Sequence, residues 1–474
     1  MSLATRTVPA RHERPTPEST TPESSAVPTS SVRPERLVSL DAYRGFVMLA
    51  MASAGLNLAK VAKESFPDSD VWRFLGYQTD HVGWVGCGFW DLIQPSFMFM
   101  VGVAMPYSFA SRAARGATRR SNWIHVALRS AILIFLGVFL SSNGAHQTNY
   151  TFVNVLTQIG LGYAVVYLLL GRGWKLQLAA VAAVLIGYTA LFALYPLPPA
   201  GFDYAKVGVK PDDHGVFDTS DAAHWNKNAN VAADADKWFL NRFPREKPFE
   251  FNEGGYQTLN FVPSIATMLF GLMAGEWLRS GRSKSRKGLG LFGAGLFCLA
   301  AGLVIDHTIW PDWLADGAGR LAAALGQTGS PFFERTWTLC PIVKRIWTPS
   351  WAVFSTGWTL LMLAGFFFVI DIVGWRRWSF PLVVVGMNSI AIYCMAQLMK
   401  GWVRMTLKTH LGQGIFTGTY DTERSWLGTP SSLWHHGQYV FSGTFGPALD
   451  AAAILLVLWL ICLWMYRQKI FVRI

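Results

Sequence analysis

A histidine and an aspartate lie ten residues apart in the stretch TDHVGWVGCGFWDLIQPSFMFMVGVAM, residues 79–105. His81 stands among glycines, which let backbone and ligand approach closely, and Asp91 opens an apolar run long enough for a membrane helix. An imidazole can act as a general base or a nucleophile, and a nearby carboxylate can fix its tautomer. Because a lone loop histidine is more often a surface residue, this pattern alone makes His81 a candidate and no more.

Polar residues inside apolar segments form a second group of candidates. Each costs roughly 3 kcal/mol or more if it faces lipid, so these side chains should face the bundle or a cavity. Asp41 and Arg44 share one helix face, where they either neutralise each other or line a polar tunnel. The other polar residues either form hydrogen bonds between neighbouring helices or contact a ligand. They are Asn57, Arg129, Asn154, Gln158, Asn388 and Gln397.

The composition is typical of a membrane protein. The chain is 51% hydrophobic and 15% charged, whereas soluble domains have about 25% charged residues. A net charge of +12 would favour nucleic-acid binding in a soluble protein, but here the basic residues lie between apolar segments. Membrane orientation explains them, so we expect a lipid bilayer and no nucleic acid as partner. The five cysteines form no CxxC pair and predict no metal site.

The hydropathy pattern predicts an all-α, polytopic helical bundle with about ten transmembrane helices. A bilayer core needs about 20 apolar residues in helical form. The predicted spans are 37–59, 89–111, 123–141, 151–170, 176–196, 258–279, 288–306, 350–373, 380–399 and 447–466.

The charges of the connections predict the orientation. Connections after the second, fourth, sixth and eighth spans are short and basic, as is the C-terminal YRQKIFVRI. The positive-inside rule places them and both termini in the cytoplasm. It leaves the connections 60–88, 142–150, 197–257, 307–349 and 400–446 outside, where Cys87 and Cys340 could pair.

The first residues differ in composition from the rest of the chain. Residues 1–35 are rich in Pro, Ser, Thr and Glu and have almost nothing to bury. Such a composition predicts a disordered tail, here on the cytoplasmic side. Residues 36–474 then form one membrane domain.

Several segments resemble a known family of membrane acyltransferases, those related to heparan-alpha-glucosaminide N-acetyltransferase. RLVSLDAYRGFVMLAM (36–51) is followed by HVGWVGCGFWDLIQPSFMFMVGVAMPYS (81–108), which is the most specific block. Further segments agree in order: VLTQIGLGY (155–163), IWTPSWAVFSTGW (346–358), VVGMNSIAIY (384–393) and YRQKIFVRI (466–474). The resemblance covers nearly the whole chain after residue 35.

The resemblance implies an enzyme that moves an acetyl group from cytosolic acetyl-CoA to an amino sugar or glycan on the outer side. It implies catalytic roles for His81, Asp91 and Asn57, and a multi-pass bacterial protein of the cell (inner) membrane. Acetyl-CoA is then the acyl-donor substrate, and no metal is expected. Two departures matter: Gln158 stands where relatives tend to carry arginine, and the stretch between Asn57 and His81 is longer. The acceptor is therefore not inherited.

Acetyl transfer from a thioester passes through a tetrahedral oxyanion. His81 would be the general base or would carry the acetyl group itself. Asn57 or Asn388 would donate a hydrogen bond to the oxyanion, an effect worth about 3–4 kcal/mol in other enzymes. The CoA phosphates need a basic vestibule that is open to the cytosol. The candidates for binding CoA are Asp41, Arg44, Arg129, Gln158 and Asn388.

Two other function classes stay open. A solute transporter would use Asp41/Arg44 and His81/Asp91 as coupling groups, although the homologous halves common in transporters are not visible here. A non-enzymatic scaffold would need no polar track across the membrane. The sequence leaves open the acceptor, the acyl chain, a one-step or two-step transfer, and whether the protein is a homo-oligomer.

Overall fold

A computed structural model describes residues 37–210, 213, 215–217, 220–325, 327, 338–411 and 432–472. Side chains are described except at 220–221 and 432–443. The predicted tail, 1–35, lies outside the described residues. Within these ranges the regular structure is helical, with no strand beyond one isolated bridge between Asp306 and Thr338. The predicted all-α class is confirmed.

Helices of very different length follow one another along the chain. In order they are α1 (Val38–Ser53), α2 (Leu58–Ser65), α3 (Asp70–Thr79), α4 (Ile93–Ala114), α5 (Arg119–Ser141), α6 (Val155–Leu168), α7 (Trp174–Ala193), α8 (Ser220–Ala223), α9 (Val231–Leu240), α10 (Phe261–Arg279), α11 (Lys284–Ile305), α12 (Asp312–Ala324), α13 (Pro349–Phe367), α14 (Phe380–Gly386), α15 (Ser389–Leu398), α16 (Lys400–Leu411) and α17 (Ser432–Arg467). Eight segments in the described residues have the length and hydropathy to cross a bilayer, built on α1–α2, α4, α5, α7, α10, α11, α13 and α17. The protein is a polytopic helical membrane protein.

Two of the ten predicted spans differ from the expectation. The predicted span 151–170 forms only the 14-residue α6, which rises about 21 Å and falls short of a hydrocarbon core of about 30 Å. The predicted span 380–399 is broken, because α14 and α15 meet at an angle of 67°. Asn388, between them, has non-helical dihedrals. Hydropathy reports apolar length and does not report such breaks.

The connections also hold more structure than expected. Helix α16 and the first turns of α17 occupy parts of the predicted outer loop 400–446. The predicted loop 197–257 contains α8 and α9. These long connections are therefore partly folded, and the last helix begins at residue 432 rather than near 447.

The first span turns sharply after α1. Ala54, Gly55, Leu56 and Asn57 have φ angles between +50° and +63°, a left-handed region that glycine adopts readily and other residues adopt at a cost of about 1–2 kcal/mol. The Nδ2 of Asn57 donates a hydrogen bond to the carbonyl oxygen of Pro447 at 2.9 Å. This bond fixes the strained turn to the last span.

Glycines bring α4 into backbone contact with α10. A β-carbon on Gly102 would lie 2.0 Å from the carbonyl oxygen of Met268, and one on Gly271 would lie 2.0 Å from that of Phe99. Small residues allow such close crossings in membrane helices. The 3₁₀ turn Phe89–Leu92 leads directly into α4, so this crossing holds the element that carries Asp91.

The long connections 197–257 and 307–349 pack together at one end of the bundle, here called the loop end. The indole Nε1 of Trp84 donates to the carbonyl oxygen of Trp225 at 3.1 Å. Arg345 donates to the carbonyl oxygens of Val82 and Gly254 at 3.1 and 2.8 Å. Three segments distant in sequence thus form one layer. The opposite end, with the short connections 115–118 and 280–283, is called the basic end.

Gly271→Ala should lower the melting temperature of the detergent-solubilised protein. The added methyl group would force α4 and α10 apart, and such overpacking costs about 1–3 kcal/mol. The matched control is Gly365→Ala on α13, where a β-carbon meets nothing within 4 Å. Fluorescence-detected size-exclusion after heating measures both variants. Equal melting temperatures would contradict the close crossing.

Candidate active site

His81 and Asp91 are in direct contact at the loop end. The Nδ1 of His81 lies 2.8 Å from Oδ1 of Asp91. The Asp91 side chain is 2% exposed and that of His81 is 40% exposed. The other carboxylate oxygen, Oδ2, accepts the backbone N–H groups of Gly88 and Val82 at 3.1 and 3.3 Å. Because an ionised carboxylate only accepts hydrogen bonds, the imidazole is the donor in its contact with Asp91.

A buried lysine completes this group, here called the His–Asp–Lys cluster (His81, Asp91 and Lys344). The Nζ of Lys344 lies 3.2 Å from Oδ1 of Asp91 and 3.1 Å from Nδ1 of His81. The lysine side chain is 5% exposed. One carboxylate oxygen therefore faces two nitrogen donors.

Sequence reasoning missed Lys344, which is 253 residues from Asp91 along the chain. One signal was present. Lys344 and Arg345 interrupt the apolar stretch CPIVKRIW, residues 340–347, which runs into the block IWTPSWAVFSTGW. Two adjacent cations in so apolar a setting require buried partners.

The segment that carries Lys344 is tied down on both sides. Oδ2 of Asp306 accepts the backbone N–H of Ile342 at 2.6 Å, and Oγ1 of Thr348 accepts that of Val343 at 3.0 Å. Trp347 adopts a left-handed φ of +47°, and its side chain is buried. These contacts hold the lysine in place.

The thiol of Cys87 lies near the cluster. Burial raises the pKa of the Cys87 thiol far above its usual value, the charge of Asp91 adds to this, and that of Lys344 opposes it. The thiol therefore stays protonated. Cys87 and Cys340, which the predicted topology allowed to pair, are both free thiols.

Two neighbouring cavities lie at the loop end, and His81 lines the smaller of them. The smaller is about 400 Å³, and its wall includes Lys63, Arg73, Tyr77, Asp80 and His81. The larger is about 540 Å³, and its wall includes Tyr77, Trp84, Phe217, Thr308, Ile309 and Phe354. Tyr77 lines both, so the cavities are neighbours. Burial raises the pKa of Tyr77, as do the nearby Cys87 and Asp91, so its phenol stays neutral. Both volumes suit a small-molecule ligand.

Three other predicted site residues bind the chain itself. Asn57 donates to the carbonyl oxygen of Pro447. The Nδ2 of Asn388 donates to the carbonyl oxygen of Ile470 at 3.1 Å, and its Oδ1 accepts the N–H of Val472 at 3.0 Å. Gln158 donates to the carbonyl oxygen of Val153 and accepts from Gln94, both at 3.2 Å. These three amides therefore have hydrogen-bond partners outside the cluster.

The other predicted candidates for binding CoA, Asp41, Arg44 and Arg129, lie on α1 and α5. Asp41 and Arg44 form the expected pair, with Nη1 and Oδ1 3.5 Å apart. The Arg129 guanidinium lies over the ring of Tyr163, 4.8 Å from its centroid. Its Nε is buried and has no hydrogen-bond partner within the described part of the chain. The residue as a whole is half-buried, and a guanidinium nitrogen without a partner is suited to an anionic ligand.

Asp91→Ala should destabilise the protein strongly. It leaves the Lys344 ammonium buried without its carboxylate, and removing one partner of a buried pair costs about 3–5 kcal/mol. Asp91→Asn keeps an acceptor for the two N–H groups and should cost less. The control is Asp70→Ala, whose side chain is 90% exposed beside Arg73 and whose loss should leave the melting temperature nearly unchanged. Equal losses at positions 91 and 70 would contradict the buried cluster.

Comparisons with known proteins indicate a distant relative. No protein-family model matches the chain. The chain is 21% identical over 429 residues to heparan-alpha-glucosaminide N-acetyltransferase from Homo sapiens. The match covers 81% of this chain and 57% of the human protein, so the chain spans little more than half the length of that relative. Identity at this level over most of the chain indicates a distant relationship to an N-acetyltransferase.

Proposed function

We propose that this protein is a membrane acyltransferase that moves an acetyl group from acetyl-CoA to an amino group of a sugar or glycan. The observation that most strongly supports this proposal is the imidazole of His81. It is half exposed, lines a cavity and contacts the buried carboxylate of Asp91. The distant relationship to an N-acetyltransferase supports the same activity. Donor and acceptor would enter from the basic end and the loop end respectively.

His81 acts as the general base in this proposal. The acceptor enters as a neutral amine, and its nitrogen attacks the thioester carbonyl carbon. As the C–N bond forms, the amine proton passes to Nε2 of His81. The tetrahedral intermediate then collapses, the C–S bond breaks, and the leaving thiolate takes the proton back from His81. Thioester and amine become amide and thiol, and Asp91 stabilises the transient imidazolium.

The larger cavity, next to the one that His81 lines, is the proposed acceptor site. Trp84, Phe217 and Phe354 line it together with the polar groups of Tyr77 and Thr308. Apolar and aromatic walls with a few polar groups are common in small-molecule sites. Aromatic faces pack well against the C–H faces of sugar rings, which supports a sugar as acceptor.

Arg129 is the proposed contact for the anionic donor. It lies ten residues into α5, whose first residue is Arg119 at the basic end, so it is about 15 Å along the helix from that end. Its buried Nε supports contact with a phosphate oxygen. Arg44 and Asp41 would flank the same approach.

A solute transporter is the second candidate, because two spans are interrupted. Transporters often bind their substrates at broken helices, and the first span and the α14–α15 pair are both broken here. The amide at the second break, however, is occupied by backbone groups of residues 470 and 472. A solute site there would first have to displace the C-terminal segment.

His81→Ala should reduce acetyl transfer by about 100-fold or more, the usual loss when a general base is removed. The assay supplies radiolabelled acetyl-CoA and glucosamine to purified protein in nanodiscs. His146→Ala is the matched control, because this histidine is exposed in the connection after α5, and it should retain wild-type activity.

Other outcomes separate the alternatives. Equal product from wild type and His81→Ala would remove His81 as the base. Retention of labelled acetyl on His81 in the absence of acceptor would favour a two-step transfer. Solute flux without acetyl-CoA binding would favour the transporter.

A further inference from the structure

The carboxylate of Asp91 is surrounded by hydrogen-bond donors. Oδ2 receives two backbone N–H groups, and Oδ1 faces both His81 and Lys344. The Lys344 side chain is 5% exposed, so it cannot exchange this partner for water without moving its segment. The carboxylate therefore has the Lys344 ammonium as a second buried partner beside His81.

The contacts of Asp91 with both His81 and Lys344 bear on whether the imidazole of His81 is neutral or protonated. A lone carboxylate in contact with an imidazole favours the imidazolium, because an opposite charge within about 4–6 Å shifts a titration by 1–3 pH units. With Lys344 in place, Asp91 is already compensated and the cluster is neutral when His81 is neutral. Protonation of His81 would add an uncompensated positive charge 3.1 Å from the ammonium.

We propose that Lys344 is a positioning residue that keeps His81 in its neutral, proton-accepting form. Asp91 then orients the Nδ1–H without drawing a second proton onto Nε2. The inference rests on the proposed role of His81 as general base. An imidazolium has no lone pair to take a proton from an amine, so loss of Lys344 would deplete the reactive state at neutral pH.

The other charged and titratable groups around His81 are weaker influences. The backbone N–H of His81 donates to Asp80, and the guanidinium of Arg345 binds the neighbouring carbonyl of Val82. Lys63 and Arg73 are exposed in the cavity wall and are screened by solvent. Tyr77 and Cys87 stay neutral, because burial raises the pKa of each. In the connection 197–257, Lys227 and Asp213 form a separate pair at 2.5 Å.

A chemical modification tests the inference without requiring transfer activity. Diethyl pyrocarbonate acylates neutral imidazole, so the pH dependence of its reaction with His81 reports the protonation of that residue. Mass spectrometry of the peptide that contains His81 measures the rate. The proteins are the full chain in nanodiscs as wild type, Lys344→Met, Lys344→Arg, Asp91→Asn and Lys227→Met.

The midpoint pH of His81 modification is expected to shift in opposite directions in the Lys344 and the Asp91 variants. Lys344→Met should raise the midpoint of modification by about one pH unit or more, because Asp91 is left with His81 as its cation. Asp91→Asn should lower it, and Lys344→Arg should restore the wild-type midpoint. Lys227→Met, which removes another buried lysine at the loop end, should leave the midpoint unchanged. A purely structural lysine would not produce opposite shifts.

An unchanged midpoint in folded Lys344→Met, or the same shift in Lys227→Met, would overturn the inference. If Lys344→Met does not fold, Lys344→Gln and the predicted downward shift in Asp91→Asn decide the question. The acetyl-transfer assay on the same preparations separates the two proposals. Transfer by wild type with an unshifted midpoint in Lys344→Met would contradict the lysine role alone. Shifted midpoints without transfer by wild type would contradict the proposed function alone.

Discussion

The buried carboxylate of Asp91 is the constraint on which the candidate site depends. A charge this far from water costs several kcal/mol unless donors surround it, and here they come from residues 81–88 and from Lys344. The α4–α10 crossing fixes the carboxylate, and the packed loops fix the lysine. The contacts that stabilise the charge are thus the contacts that orient His81, which joins the stability of the loop end to its chemistry.

Local patterns predicted much of this protein. Apolar length located the eight long spans, because this signal depends on neighbouring residues alone. The interruptions at residues 54–57 and at Asn388 were missed. Each depends on contacts made elsewhere, with Pro447 in one case and with residues 470 and 472 in the other. No local pattern carries that information.

The candidate site was predicted only in part, because local patterns do not report contacts between residues that are distant in sequence. His81 and Asp91 are close in sequence, so their pairing followed from one stretch of chain. Lys344 joins them only through the packing of three loop segments. Asn388 and Gln158 were predicted at a ligand, and their hydrogen-bond partners in the structure are backbone groups of residues 153, 470 and 472 and the side chain of Gln94.

The distance of 253 residues between Asp91 and Lys344 has a consequence for biosynthesis. Chains are made from the N-terminus, at about 5–20 residues per second, so the second span enters the membrane well before the lysine is synthesised. Until then its carboxylate has no buried cation and must stay at the water interface. A chain that ends before Lys344 therefore lacks the assembled His–Asp–Lys cluster.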